Sequence, residues 1–247
     1  MGFAALALAP GLALGSFLNV VAARVPERRS LVRPRSACPG CGHEIAWYDN
    51  VPIVSYLVLR GRCRSCAQRI GLRYPAVELV SALLVAGSVW KFGLHAESLV
   101  ASFFCLVLVA VSATDLERRI IPNRIVVPAA AVVLAAQTAV HPSPEWAIAA
   151  VGASGFLLLA ALVYPAGMGM GDVKLALLLG AMLGRTVPVA MLVGMAAALV
   201  PGIYLLARHG SKGRKMGVPL APFLALGSLV ALFAGHPILH AYLHIGH

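Results

Sequence analysis

Four of the five cysteines in this 247-residue chain are paired as Cys38-x2-Cys41 and Cys63-x2-Cys66, with 21 residues between the pairs. Two such knuckles can converge into one tetrahedral thiolate set of the zinc-ribbon kind. Zn²⁺ suits four soft sulfur ligands and brings no redox chemistry. With all four positions taken by sulfur there is no open site for water, so the implied metal is structural rather than catalytic. Unligated or transiently disulfide-bonded thiols are the alternative, which the matched spacing and the glycines Gly40, Gly42 and Gly61 weaken. Cys105 stands alone in an apolar run and reads as a small core hydrophobe.

Acidic residues are scarce, nine against 20 Lys and Arg, which makes each one informative. Asp115 closes an apolar run in Ala113-Thr114-Asp115-Leu116-Glu117-Arg118-Arg119, and Asp172 opens another in Gly167-Met168-Gly169-Met170-Gly171-Asp172-Val173-Lys174. Two neighbouring carboxyls can activate water against an amide. The ionised one accepts the proton of water while the protonated one supports the carbonyl oxygen, and the pair titrates as a unit. Gly169 and Gly171 would let backbone come close to an extended substrate. Three other roles stay open: Asp115 as an interfacial loop residue or helix cap, Asp172 as an N-cap after the glycine-rich turn, and both as the proton or cation relay of a membrane transporter.

The elements that would carry these groups are membrane helices. Sixty per cent of the residues are hydrophobic and 12% charged, and the mean hydropathy is +0.87; a water-soluble surface cannot be built from that composition. A crossing needs about 20 residues. The candidates are 1–23, 75–93, 98–114, 120–140, 146–165, 172–184, 186–207 and 218–240, giving an all-α polytopic membrane protein of about eight transmembrane helices. The weakest are 172–184, which is short, and 186–207, divided from it only by Gly184 to Thr186. No removable signal peptide and no internal repeat are evident.

The formal charge of +11 raises the question of nucleic acid, and its distribution answers it. Ten basic residues lie between Arg24 and Arg73, three at Arg118, Arg119 and Arg124, and four at Arg208, Lys212, Arg214 and Lys215. Regions of this kind between apolar spans are cytoplasmic loops under the positive-inside rule, with lipid rather than nucleic acid as their partner. Both aspartates then lie near the cytoplasmic interface, and both termini face outward. The expected organisation is a first helix over 1–23, a small cytoplasmic four-cysteine insert over 24–74 and a helical membrane core over 75–247. The insert has little apolar material around Ala46 to Leu59, so its stability would come largely from the metal.

Taken together these motifs resemble the prepilin peptidases, the type IV leader peptidases of bacterial type IV pilus and type II secretion systems. The likeness runs through Gly15-Ser16-Phe17-Leu18-Asn19-Val20, Cys38-Pro39-x-Cys41, Asp49-Asn50-Val51-Pro52 and Gly61-Arg62-Cys63-Arg64-x-Cys66. It continues in Ile70-x-x-Arg73-Tyr74-Pro75-x-x-Glu78, the Asp115 segment and Gly169-x-Gly171-Asp172-x-Lys174. The resemblance implies an aspartic peptidase of the inner membrane with Asp115 and Asp172 in the two catalytic positions. Its substrates would be type IV prepilins or pseudopilins, cut after Gly and before Phe at the cytoplasmic face. The four-cysteine insert looks like that of the bifunctional members, which methylate the new N-terminus with S-adenosylmethionine. Glu78 and the Asn50 region would contribute to substrate or methyl-donor binding by the same analogy. One departure is Pro219-Leu220-Ala221-Pro222-Phe223, where the family often has Pro-Phe-Gly-Pro-Phe.

Overall fold

A computed structural model describes residues 2–165, 168–210 and 217–244. Gly167 of the glycine-rich motif and the basic residues Lys212, Arg214 and Lys215 fall outside the described residues. Among those described there are ten α-helices, two short 3-10 turns and no strand. The helices are α1 (Gly2–Leu6), α2 (Leu8–Arg24), α3 (Val54–Val58), α4 (Arg73–Phe92), α5 (Ala96–Arg118), α6 (Asn123–Val140), α7 (Glu145–Val163), α8 (Met170–Leu183), α9 (Val187–His209) and α10 (Ala221–His244). The chain divides into two compact units, Met1–Ala113 and Thr114–His247.

Among the described residues, seven helical stretches are long and apolar enough to cross a membrane. One of them, Met170–His209, has 40 residues. As a continuous helix it would run about 60 Å, twice the hydrocarbon thickness. It is interrupted at Gly184, whose φ of +52° ends α8, and by the turn Gly184–Thr186. Counted as two passes it returns the expected number of about eight. The interruption falls where the sequence placed it, and α8 has only 14 residues, so it is the short member of the set.

In the first unit α2 packs against α4 along Gly11 and Gly15, spaced four apart on one face. A Cβ on Gly11 would lie 2.6 Å from the Ala82 Cα, and one on Gly15 would lie 2.7 Å from the Glu78 Cα. Small residues at this spacing let two membrane helices touch backbone to backbone. One turn further on, the Asn19 amide donates to the Tyr74 carbonyl (3.1 Å). Cys105 is fully buried, as expected of a core residue.

In the second unit α8 lies against α7 and α6, and α9 against α10. Gly180 on α8 has no room for a Cβ because the Ala149 carbonyl of α7 occupies that place. Gln137 of α6 donates to the Met182 carbonyl (3.1 Å). At the break, Glu145 accepts the Arg185 backbone N–H (2.9 Å) and pairs with its guanidinium (3.1 Å). The start of α7 is thereby fastened to the end of α8, which holds α8 in a fixed position along α7.

Candidate active site and metal centre

The four cysteines meet. Their sulfurs lie within 4.8 Å of one another, with Cys38 and Cys66 3.7 Å apart and Cys41 and Cys63 4.0 Å apart. Thiolates about 2.3 Å from a tetrahedral ion sit about 3.8 Å from each other, so this donor set fits a metal such as zinc. Backbone N–H groups of Cys41 and Gly40 chiefly pull the Cys38 thiol down to about 6. Against the N–H of Gln68, which favours the thiolate, burial and the neighbouring sulfurs push Cys66 up to about 12. One thiolate thus forms readily while a full set repels itself, an imbalance that a divalent cation removes.

The backbone around the sulfurs repeats. Gly42 N–H donates to the Cys38 carbonyl (2.9 Å), Cys38 N–H to His43 (2.9 Å) and Ile45 N–H to Ser36 (2.8 Å). Ala67 N–H likewise donates to Cys63 (2.9 Å), Cys63 N–H to Gln68 (2.8 Å) and Ile70 N–H to Gly61 (2.8 Å). Residues 36–45 and 61–70 are therefore two copies of one knuckle, where the sequence showed no repeat. The reason is that the copies share little besides cysteine and isoleucine; what repeats is hydrogen bonding of the main chain. Each knuckle turns through a left-handed residue, Gly42 (φ +71°) and Ala67 (φ +57°).

A Cβ on Gly42 would meet nothing within 4 Å, so conformation alone decides the effect of substitution there. Gly42→Ala is expected to weaken metal retention, and Ala67→Gly to strengthen it, each by about 1 kcal/mol. Competition with a chromogenic chelator measures both, and the two should shift in opposite directions.

Asp49 holds the segment between the knuckles in place. Its two oxygens accept from Arg64 at 2.6 and 2.7 Å, and that guanidinium keeps the Asp49 carboxyl below the usual range. Glu78, buried on α4, accepts the N–H of Ile53 (2.8 Å).

The two aspartates belong to the same compact unit. Asp115 is buried in the last turn of α5, which ends as Arg119 (φ +54°) donates its N–H to the Asp115 carbonyl (2.8 Å). Its Oδ2 accepts the N–H of Ala221, the first residue of α10 (3.0 Å), leaving Oδ1 for other partners. Asp172 is the third residue of α8, whose N-cap position belongs to Gly169, whereas Asp115 caps the start of α10 through the Ala221 N–H. The two carboxylates are close enough to repel one another electrostatically, and Arg119 is within electrostatic reach of Asp115.

Gly171 turns out to serve packing: a Cβ there would lie 2.8 Å from the Ile121 Cβ. Lys174 donates from Nζ to Asn123 Oδ1 (3.0 Å), tying α8 to the first residue of α6. The group that sequence reading missed is the Ala221 N–H. It lies in the segment that departs from the expected pattern, but a main-chain donor is supplied there by any residue except proline. Ala221→Pro is expected to lower activity at this site about 10- to 100-fold, the worth of a hydrogen bond to a charged group. Ala221→Gly, which keeps the donor, should stay near the parent rate.

Two family models match successive parts of the chain. Residues 10–92 match the bacterial peptidase A24 N-terminal domain, and residues 102–205 match the type IV leader peptidase family. The chain is 36% identical to a prepilin leader peptidase/N-methyltransferase of Bacillus subtilis, covering 94% of this chain and 95% of that protein. It is 36% identical to the Burkholderia pseudomallei (strain 1026b) protein of the same name, covering 98% and 88%. Identity to the Pseudomonas aeruginosa protein of that name is 35%, covering 94% and 91%. No solved structure gives a significant match. A multi-pass helical chain with these matches along nearly its whole length belongs to the type IV leader peptidase family.

Proposed function

We propose that this chain removes the basic leader of type IV prepilins or type II secretion pseudopilins at the cytoplasmic face of the bacterial inner membrane. The Gly–Phe bond is cut, and the exposed N-terminal residue is then N-methylated. One observation carries the peptidase reading: Asp115 and Asp172, 57 positions apart, lie within electrostatic reach in one unit of a chain of this family.

In the proposed reaction one carboxylate takes a proton from water as its oxygen attacks the scissile carbonyl carbon. The other, protonated, donates to the carbonyl oxygen. The tetrahedral intermediate collapses as the leaving nitrogen is protonated, with no acyl-enzyme. Ala221 contributes by holding one oxygen of Asp115, which orients the other. The apolar body of the prepilin would reach the site laterally through lipid. A transporter built on the same aspartates finds no support in the relatives' names.

The proposed organisation is a first helix over 1–23, an insert over 24–74 and a peptidase core over 75–247. Cys38, Cys41, Cys63 and Cys66 would hold Zn²⁺, which supplies cross-linking of the two knuckles and no reaction step. S-adenosylmethionine as methyl donor rests on the methyltransferase activity in the relatives' names. Incubating the purified chain in lipid with a purified prepilin tests the peptidase reading. Loss of the leader is expected, and an intact substrate with a correctly inserted chain would overturn it.

A further inference from the structure

The stretch from Trp47 to Leu59 is inside out. Apart from Asn50 its exposed side chains are apolar or aromatic, led by Trp47 (83%), Val54 (55%), Leu57 (67%) and Val58 (69%), the last three on one face of α3. The sequence reading of little apolar material there does not describe this surface. The inward side is polar, because buried Ser55 donates from Oγ to the Tyr48 carbonyl (2.9 Å) and accepts the Val51 N–H (3.1 Å). A segment meant for water would have the opposite arrangement.

Its height is set by a membrane helix. Ile53, immediately before α3, donates its N–H to Glu78 (2.8 Å), the sixth residue of α4, which is a candidate membrane span. Five residues of helix amount to roughly 8 Å, about the depth of the headgroup and upper acyl region. Ile53 has φ +60°, unfavourable for a β-branched residue, so the contact with Glu78 holds a conformation the chain would not adopt alone. Exposed Arg60 and Arg62 follow directly in sequence, and exposed Arg69 lies at the far end of the second knuckle.

We propose that Trp47–Leu59 is an interfacial segment whose apolar face lies in the cytoplasmic leaflet, with the following arginines on anionic headgroups. The bilayer is favoured over a protein partner by the tether to α4, by tryptophan's preference for the interface and by the adjacent positive charge. The proposal needs α4 to span the membrane and does not depend on the peptidase reading.

The test uses the full chain in phosphatidylcholine–phosphatidylglycerol vesicles. Trp90→Phe with Trp146→Phe leaves Trp47 as the sole tryptophan, the chain having three. Trp47 should then emit at shorter wavelength than in water, and be quenched by lipids brominated high on the acyl chain more than by aqueous iodide. Water-like emission, open to iodide and indifferent to brominated lipid, would overturn the proposal. So would quenching that appears only when prepilin is added, since that would make the face a protein-docking site. Adding Leu57→Ser and Val58→Ser should at least halve the lipid quenching while the metal content stays constant. Unchanged quenching in that variant would overturn the assignment to α3.

Discussion

Asp172→Asn should cut leader cleavage by at least about 100-fold, and by up to about 10,000-fold if the group takes part in proton transfer at both stages. Asp115→Asn should do the same. An amide keeps the size of the carboxyl and can still hydrogen-bond, but it cannot take a proton from water or give one to the leaving nitrogen. Groups acting as a unit lose most of their joint effect with the first substitution, so the double variant should be hardly slower than either single one. A merely structural role would give additive losses and reduced insertion instead. At Asp115 the amide can still accept the Ala221 N–H through its oxygen, so the contact between α5 and the start of α10 should survive. Activity would then be lost without loss of the fold, which thermal unfolding in detergent would verify.

Removing the metal should have the second large effect, and in a different part of the chain. Within 24–72 the only buried residues among those described are Cys38, Ser55 and Gly61. That is no hydrophobic core, so the knuckles would depend on a metal held by the four sulfurs. Structural zinc sites contribute about 10–16 kcal/mol in small domains, more than a segment of this size can supply otherwise. Cys38→Ser, or treatment with a strong chelator, should release zinc and abolish amide-exchange protection at residues 36–45 and 61–70. Methylation should fall more than cleavage, because the aspartates belong to the other unit. Full protection in a metal-free sample would contradict the assignment.

How much of this was readable beforehand depended on whether the acting group was a residue type or a backbone atom. Cysteine spacing announced the sulfur cluster because a thiolate ligand has to be a cysteine. Asp115 and Asp172 stood out because carboxylates are scarce in membrane helices. The knuckle repeat was hidden, as its common feature is main-chain hydrogen bonding shared by Gly42 and Ala67 alike. The Ala221 donor was hidden for the same reason. Gly171 was legible as a glycine but not as to purpose, since only the packing reveals Ile121 where its side chain would go. The interruption at Gly184 was visible only as a slight break at Gly184 to Thr186 between two apolar runs, while its cause is a left-handed turn buttressed by Glu145. The surface of Trp47–Leu59 was missed because the stretch was read as poor in apolar material, although nine of its 13 residues are hydrophobic.

One carboxylate pair is proposed to make this chain a prepilin-processing enzyme. The most direct test is mass spectrometry of a purified prepilin after incubation with the reconstituted chain, with and without S-adenosylmethionine, for the parent, Asp115→Asn and Asp172→Asn forms. The parent should yield the mature pilin without its leader, and with donor the same product heavier by one methyl group. Both variants should leave the prepilin intact under either condition. Leader loss by both variants at the parent rate would contradict the claim.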